Sequence, residues 1–256
     1  MFFSYSELVD RNWAFVEKST QDKIKESKLL FVGCGLGSVI AQCAARLGFQ
    51  NFILADGDTV DLSNLNRQSF SISQIGINKA KALSDNIKEI NPEANIIIID
   101  KFIKQEDVSE LIEKADFIVN TVDISPVYFD ITQKGASMGK CVFLPLNVAF
   151  GCFNWIFTKK SKKLEDIVGK PEEVNSELIF YKKILKKIIF KVPFYILKRS
   201  RFIFSEIEKK KKSPQLVIGA TLVAGVVVTS MVKILNNEKV SVAPKYFYLD
   251  LYKEIR

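Results

Sequence analysis

Lys28-Leu29-Leu30-Phe31-Val32-Gly33-Cys34-Gly35-Leu36-Gly37-Ser38 is the stretch that decides how this chain folds. Four apolar residues run without alternation into a glycine turn, the pattern of a strand buried on both faces. Residues 38–47 then carry apolar positions at helical spacing and stop at Gly48, a residue suited to ending a helix. The same alternation recurs downstream. Apolar runs at 52–56, 95–100 and 116–123 read as three more strands, and 78–90 and 108–114 read as helices between them. Residues 5–27 form a helical N-terminal region. Strands alternating with helices imply a right-handed parallel sheet covered on both faces, the architecture of Rossmann-like α/β domains. Two strand-like runs within 141–158, around Asn147 and Gly151, and a last run at 245–252 add an antiparallel extension.

The 256 residues suit one domain, 1–256, with a sizeable insertion at about 159–213. The four cysteines, Cys34, Cys43, Cys141 and Cys152, contain no C-x-x-C pair, so a zinc ribbon is unsupported. Asp10 and Arg11 interrupt the N-terminus too early for a secretory signal, which makes the cytoplasm the expected compartment. The chain has no histidine, which excludes a histidine base, a histidine ligand and a Ser-His-Asp triad. Its net charge of +8 is unevenly placed: residues 159–212 hold 17 lysines and arginines against 7 acidic residues. Residues 214–232 carry no charge and are long enough to span a bilayer, yet Gly219, Ala220, Thr221, Gly225, Thr229 and Ser230 suit close packing. No aromatic belt accompanies them, and the expectation is a core helix.

The chemistry starts at the glycine turn. Gly33, Gly35 and Gly37 let backbone approach a phosphate, and the helix that follows offers unpaired N–H groups to an anion. The turn departs from G-x-G-x-x-G because Ser38 holds the sixth position. About twenty residues on, Asp56 ends the second strand, where a carboxylate can accept from ribose hydroxyls. These features point to a nucleotide and leave ATP and NAD equally open.

The stretch Asp56-Gly57-Asp58-Thr59-Val60-Asp61-Leu62-Ser63-Asn64-Leu65-Asn66-Arg67-Gln68 separates them. It resembles the D-x-D-x-V-x-x-S-N-L-x-R-Q element of the ThiF/MoeB/HesA and ubiquitin-activating superfamily of adenylyltransferases. The resemblance spans roughly 5–158 and 214–252. It implies the Rossmann-like ThiF fold and ATP with Mg2+ as cofactors. The implied reaction is attack of a carboxylate, the C-terminus of a small ubiquitin-like protein or peptide, on the α-phosphate of ATP, giving an acyl-adenylate and pyrophosphate. Carried over residue by residue, it assigns Gly33, Gly35, Gly37, Asp56, Asp58 and Asn64 to nucleotide binding. Arg67 and Lys79 are assigned to the phosphates, with Lys81 as the rival lysine. Asp123, in Asn120-Thr121-Val122-Asp123, becomes the Mg2+-proximal carboxylate. Arg11 becomes an N-terminal arginine that reaches a partner subunit's triphosphate, which implies a homodimer. The crossover cysteine and the structural zinc motif of many relatives are absent: residues 153–256 hold no cysteine, and Cys152 sits in an apolar run. The expected enzyme stops at adenylation.

The basic segment reads as helix, with apolar residues at helical spacing and lysines between them over 182–204. Pro193 breaks it, and 209–212 reads as a loop. A solvated face, an acidic docking partner, a membrane surface and RNA all suit its charge. In the family the crossover covers the substrate's tail, so neither nucleic acid nor a membrane is the expected partner. Three alternatives remain to the adenylating enzyme: a tRNA-modifying dehydratase of the same superfamily, a non-catalytic scaffold that keeps the nucleotide fold, and an NAD-dependent oxidoreductase. The last lacks a recognisable acid or base for hydride transfer, and a scaffold has no need of Asp56, Arg67, Lys79 and Asp123 together.

Overall fold

The computed structural model describes residues 3–188, 190–210 and 213–255. Two short N-terminal helices, α1 (Tyr5–Leu8) and α2 (Lys18–Glu26), lead into β1 (Lys28–Val32). There follow α3 (Gly35–Leu47), β2 (Asn51–Ala55), α4 (Lys79–Ile90), β3 (Asn95–Ile99), α5 (Val108–Glu113), β4 (Phe117–Asn120), α6 (Pro126–Ser137), β5 (Cys141–Val148) and β6 (Gly151–Phe157). The basic segment folds as α7 (Leu164–Val168), α8 (Glu177–Ile188) and α9 (Phe194–Lys210). The chain closes with α10 (Val217–Leu235), β7 (Phe247–Asp250) and α11 (Leu251–Glu254).

All seven strands join one sheet in the order β3-β2-β1-β4-β5-β6-β7. Neighbours from β3 to β5 pair in parallel, whereas β5–β6 and β6–β7 pair antiparallel. Side chains alternate across each strand and so feed two cores. Leu29, Phe31, Phe52 and Leu54 pack with Ala41 and Ala44 of α3, Leu83 of α4 and Val223 and Val227 of α10. Leu30, Val32 and Ile53 face the other way, onto Ile112 of α5, Phe129 of α6, and Leu164, Phe180 and Ile184 of the crossover helices. Each such buried Leu, Ile or Phe contributes about 1.5–3 kcal/mol. The α/β sheet with helices on both faces and an antiparallel extension is the architecture the sequence implies.

Several boundaries differ for local reasons. The helix expected over 38–47 begins three residues earlier, at Gly35 inside the glycine turn. β4 ends at Asn120, so Thr121 to Asp123 leave the sheet as a bend. β3 forms the sheet edge, which leaves Ile97 55% and Ile98 41% exposed despite an apolar run that reads as buried. The last strand stops at Asp250, whose carboxylate caps α11 by accepting from Lys253 N–H. α6 is a helix the sequence reading does not anticipate; Ser125 accepts from Tyr128 N–H as its N-cap, with Pro126 opening the first turn. In the crossover, Pro193 separates α8 from α9 as expected. Lys209 and Lys210 lie in the last turn of α9 rather than in a loop, at 3.3 and 3.1 Å from Glu206, while residues 211 and 212 fall outside the described residues.

By length and hydropathy α10 is the one helix among the described residues that could cross a membrane. Here Gly219, Ala220, Val223, Ala224, Val227, Val228 and Met231 bury one face, while Val217, Thr221, Gly225 and Thr229 line an exposed stripe. The core reading therefore describes one side of the helix.

Candidate nucleotide site

The strand order places the C-terminal ends of β2, β1 and β4 side by side. The chain runs outward from β1 to β3 on one side, then returns to the other side at β4. That reversal opens the crevice where open α/β sheets hold ligands.

At the centre stands the glycine turn. Gly33 has φ +93°, and a Cβ there would lie 2.6 Å from the Thr121 carbonyl carbon. Thr121 Oγ1 donates to Gly33 O at 2.7 Å, tying the turn to the end of β4. Gly35 borders a softer neighbour: a Cβ there would meet the side-chain amide of Gln68 at 3.0 Å. Ser38, the residue that breaks the dinucleotide fingerprint, donates to Gly35 O at 2.7 Å and accepts from Ser69 N–H at 3.0 Å. It therefore staples the turn to the loop that carries Arg67. α3 is 13 residues long and has no side-chain cap at Cys34, so its first N–H groups and its positive dipole end face the crevice.

Asp56, Asp58 and Lys79 form one flank. Asp56 accepts from Cys34 N–H at 2.6 Å and from Asp58 N–H at 2.8 Å. Burial nonetheless holds its carboxyl above the usual range, although both N–H donors and nearby Lys79 pull it down. Lys79 opens α4 and donates to Asp58 Oδ2 at 3.0 Å; its side chain is 11% exposed. Asn78 builds this corner, a role its place in the sequence does not announce. Its oxygen caps α4 by accepting from Ala80 and Lys81 N–H, and its amide donates to Asp56 O and Asp58 O. The rival Lys81 turns away to pair with Asp100 at 2.6 Å on the surface.

Arg67 and Asp123 belong to the opposite flank. Arg67 Nη1 donates to Ser63 O at 2.9 Å and Asn66 Oδ1 at 2.7 Å, and its Nε donates to Gln215 Oε1 at 2.7 Å. Burial lowers the Arg67 pKa, opposed by the charge of Glu177. Glu177, at the start of α8, hydrogen-bonds Ser213. Burial raises its carboxyl, Asp123 raises it further, and Ser213 and Arg67 oppose the shift. Glu177, Ser213 and Gln215 are site residues that the sequence reading misses, since all three come from the basic segment or its exit.

Asn64 is buried, and its oxygen accepts from Asp61 N–H in a reciprocal cap of the turn Leu62–Asn64, so the oxygen shapes the loop and the amide nitrogen is the donor assigned to the nucleotide. Arg11 lies exposed on the turn Asp10–Asn12. That turn is anchored by Asn12 to Leu47 O at the far end of α3. Thirteen helical residues at ~1.5 Å each put it about 20 Å from the glycine turn. Arg11 is thus remote from the glycine turn of its own chain. Among the described residues no three acidic or thiol side chains converge on a metal position. A cation beside exposed Asp123 would take its other ligands from phosphates and water, a donor set that fits Mg2+.

Cys34 is fully buried and burial pushes its thiol well up, while burial pushes Cys152 up to about 11. Neither is poised as a nucleophile.

Residues 8–256 match the model of the ThiF family. The molybdopterin-synthase adenylyltransferase of Haemophilus influenzae is 36% identical over 110 residues, 42% of this chain and 45% of that protein. The tRNA threonylcarbamoyladenosine dehydratase of the same organism is 32% identical over 129 residues, 49% of this chain and 47% of that protein. The aligned stretches thus span less than half the length of these curated relatives. Among solved structures, Escherichia coli MccB with ATP superposes with a TM-score of 0.66 at 19% identity, covering 91% of this chain and 66% of that one. PaaA superposes with a TM-score of 0.68 at 20% identity, covering 98% and 73%. A glycine turn flanked by Asp56 and Lys79 on one side and Arg67 on the other, with a family match over nearly the whole chain, leads to one conclusion: this protein belongs to the ThiF family.

Proposed function

We propose that the protein is an adenylyltransferase that activates the C-terminal carboxylate of a small ubiquitin-like protein or peptide with ATP and Mg2+. The observation that carries this reading is the placing of cations on both flanks of an uncapped helix N-terminus, with Lys79 buried beside Asp58 and Arg67 half-buried beside Gln215. In it, Asp56 receives the ribose, the N–H groups of Gly35 and Gly37 approach the phosphates, and Lys79 and Arg67 neutralise charge on the transferring group and the departing pyrophosphate. Mg2+, when bound near Asp123, supplies further charge neutralisation. The carboxylate oxygen forms the new bond to the α-phosphorus as the bond to the β-phosphate bridging oxygen breaks. The nucleophile arrives ionised, so no histidine is needed.

A cavity of about 800 Å3 supports a peptide substrate. It is an open groove lined by Ile124, Ser125 and Pro126, which follow Asp123 in sequence, and by crossover residues Glu165, Lys170 and Asn175. The fold neighbour MccB has been solved together with MccA and AMPCPP. Arg11, together with Trp13 at 78% and Phe15 at 93% exposure, supports a homodimer in which Arg11 reaches the partner's site. The cytoplasm is the compartment we infer. A second reading, a tRNA-modifying dehydratase, is favoured by the 32% identity to that Haemophilus influenzae enzyme and by the basic crossover.

The test is exchange of labelled pyrophosphate into ATP in the presence of candidate peptides or of threonylcarbamoyl-tRNA. Exchange that requires a peptide C-terminus supports the first reading, and exchange that requires the tRNA supports the second. Arg67→Ala should slow exchange on the order of 100-fold; unaltered exchange removes Arg67 from the mechanism.

A further inference from the structure

The crossover returns to the sheet through a short stretch that grips the site twice. Ser213 donates to Glu177 of α8. Two residues on, Gln215 Oε1 accepts from Arg67 Nε at 2.7 Å, and the Gln215 carbonyl accepts from Asn66 Nδ2 at 3.4 Å. With Nη1 held by Ser63 O and Asn66 Oδ1, the Nη2 donors are those left for an incoming anion. Gln215 is one residue from Leu216, the N-cap of α10, and the Leu216 carbonyl accepts from Asn147 Nδ2 at 2.6 Å. Gln215 is therefore anchored to β5 from one side while it holds the arginine from the other.

We propose that Gln215 is a positioning residue that fixes the Arg67 guanidinium for the triphosphate, so that the packing of the crossover sets the phosphate-binding strength of the site. An arginine side chain freed from its acceptors samples many rotamers, and a group held in its bound geometry loses less entropy on binding. Gln215 touches no reacting atom; it acts through Arg67. The inference rests on the proposed role of Arg67 at the triphosphate.

The experiment measures the affinity of a non-hydrolysable ATP analogue and of AMP by calorimetry, using the full chain. The variants are Gln215→Met, which keeps the volume and removes the acceptor, Gln215→Asn, which withdraws it by one methylene, Arg67→Ala, and Arg67→Ala combined with Gln215→Met. Gln215→Met should weaken the triphosphate analogue on the order of tenfold and change AMP by less than about twofold, the loss expected for one hydrogen bond to a charged group. In the Arg67→Ala background the same change should have no further effect. If Gln215→Met destabilises the fold, Gln215→Asn carries the comparison. Equal losses for AMP and the triphosphate analogue, or an undiminished loss without Arg67, would reduce Gln215 to a structural residue. If Arg67→Ala weakens binding and neither Gln215 variant does, this inference alone fails. If Arg67→Ala leaves the analogue's affinity unchanged, the phosphate role of Arg67 fails first.

Discussion

Gly33→Ala is the substitution whose outcome the structure fixes most closely. The backbone at Gly33 has φ +93°, a region closed to side chains without strain, and a Cβ would sit 2.6 and 2.7 Å from the Thr121 carbonyl carbon and oxygen. The obstacle is backbone, held in place because Thr121 N–H donates to Val32 O at 2.8 Å, so it cannot rotate aside. Strain of about 1–3 kcal/mol and overpacking of about 1–3 kcal/mol together give a loss of about 2–6 kcal/mol. For a domain of this size that lowers Tm by roughly 10 °C. Gly35→Ala is the internal control: its Cβ would meet only the Gln68 side-chain amide, at 3.0 Å, which can yield. It should cost less than about 1 kcal/mol of stability while raising a methyl group in the path of a phosphate. Urea unfolding monitored by tryptophan fluorescence measures both. A Gly33→Ala variant within about 0.5 kcal/mol of the parent would refute the packing argument.

Three further outcomes follow from the site. Lys79→Met should weaken ATP binding about 10–100-fold by removing a charge-assisted contact, with stability changed by less than about 1 kcal/mol, because its partner Asp58 is 55% exposed; calorimetry and thermal unfolding check the two halves. Alkylation at pH 8 followed by mass spectrometry should leave Cys34 and Cys152 unmodified until the protein unfolds, since burial raises both thiols. Acidification should weaken nucleotide binding at a higher pH than an ordinary aspartate titrates, because the raised Asp56 carboxyl loses its acceptor charge early. Asp56→Asn should flatten that limb of the binding profile. The same shift has the opposite sign for folding: a raised folded-state value gives a contribution present below the unfolded value and lost as pH rises through the folded one.

Much of this is readable in the chain because the determinants are local. The β1–glycine turn–α3 unit, Asp56 and the loop to Gln68 lie within 41 consecutive residues, 28–68, and Lys79 follows at the next helix start. What escapes the sequence has identifiable causes. Gln215 is 148 residues from the arginine it holds, and no spacing rule reaches that far. Glu177 sits in a segment whose lysines dominate its composition, so one half-buried carboxylate carries no signal. The apolar run of β3 resembles an interior strand, and only the sheet order places it at the edge.

In the proposed site, one crevice gathers Lys79 and Arg67 around a triphosphate. A crystal structure with a non-hydrolysable ATP analogue and Mg2+ tests it most directly. The ribose should lie beside Asp56, with the Lys79 ammonium and Arg67 guanidinium each within hydrogen-bond distance of phosphate oxygens over the α3 N-terminus. Phosphates bound elsewhere, or either cation still turned wholly to Asp58 or Gln215 with no phosphate contact, would contradict it.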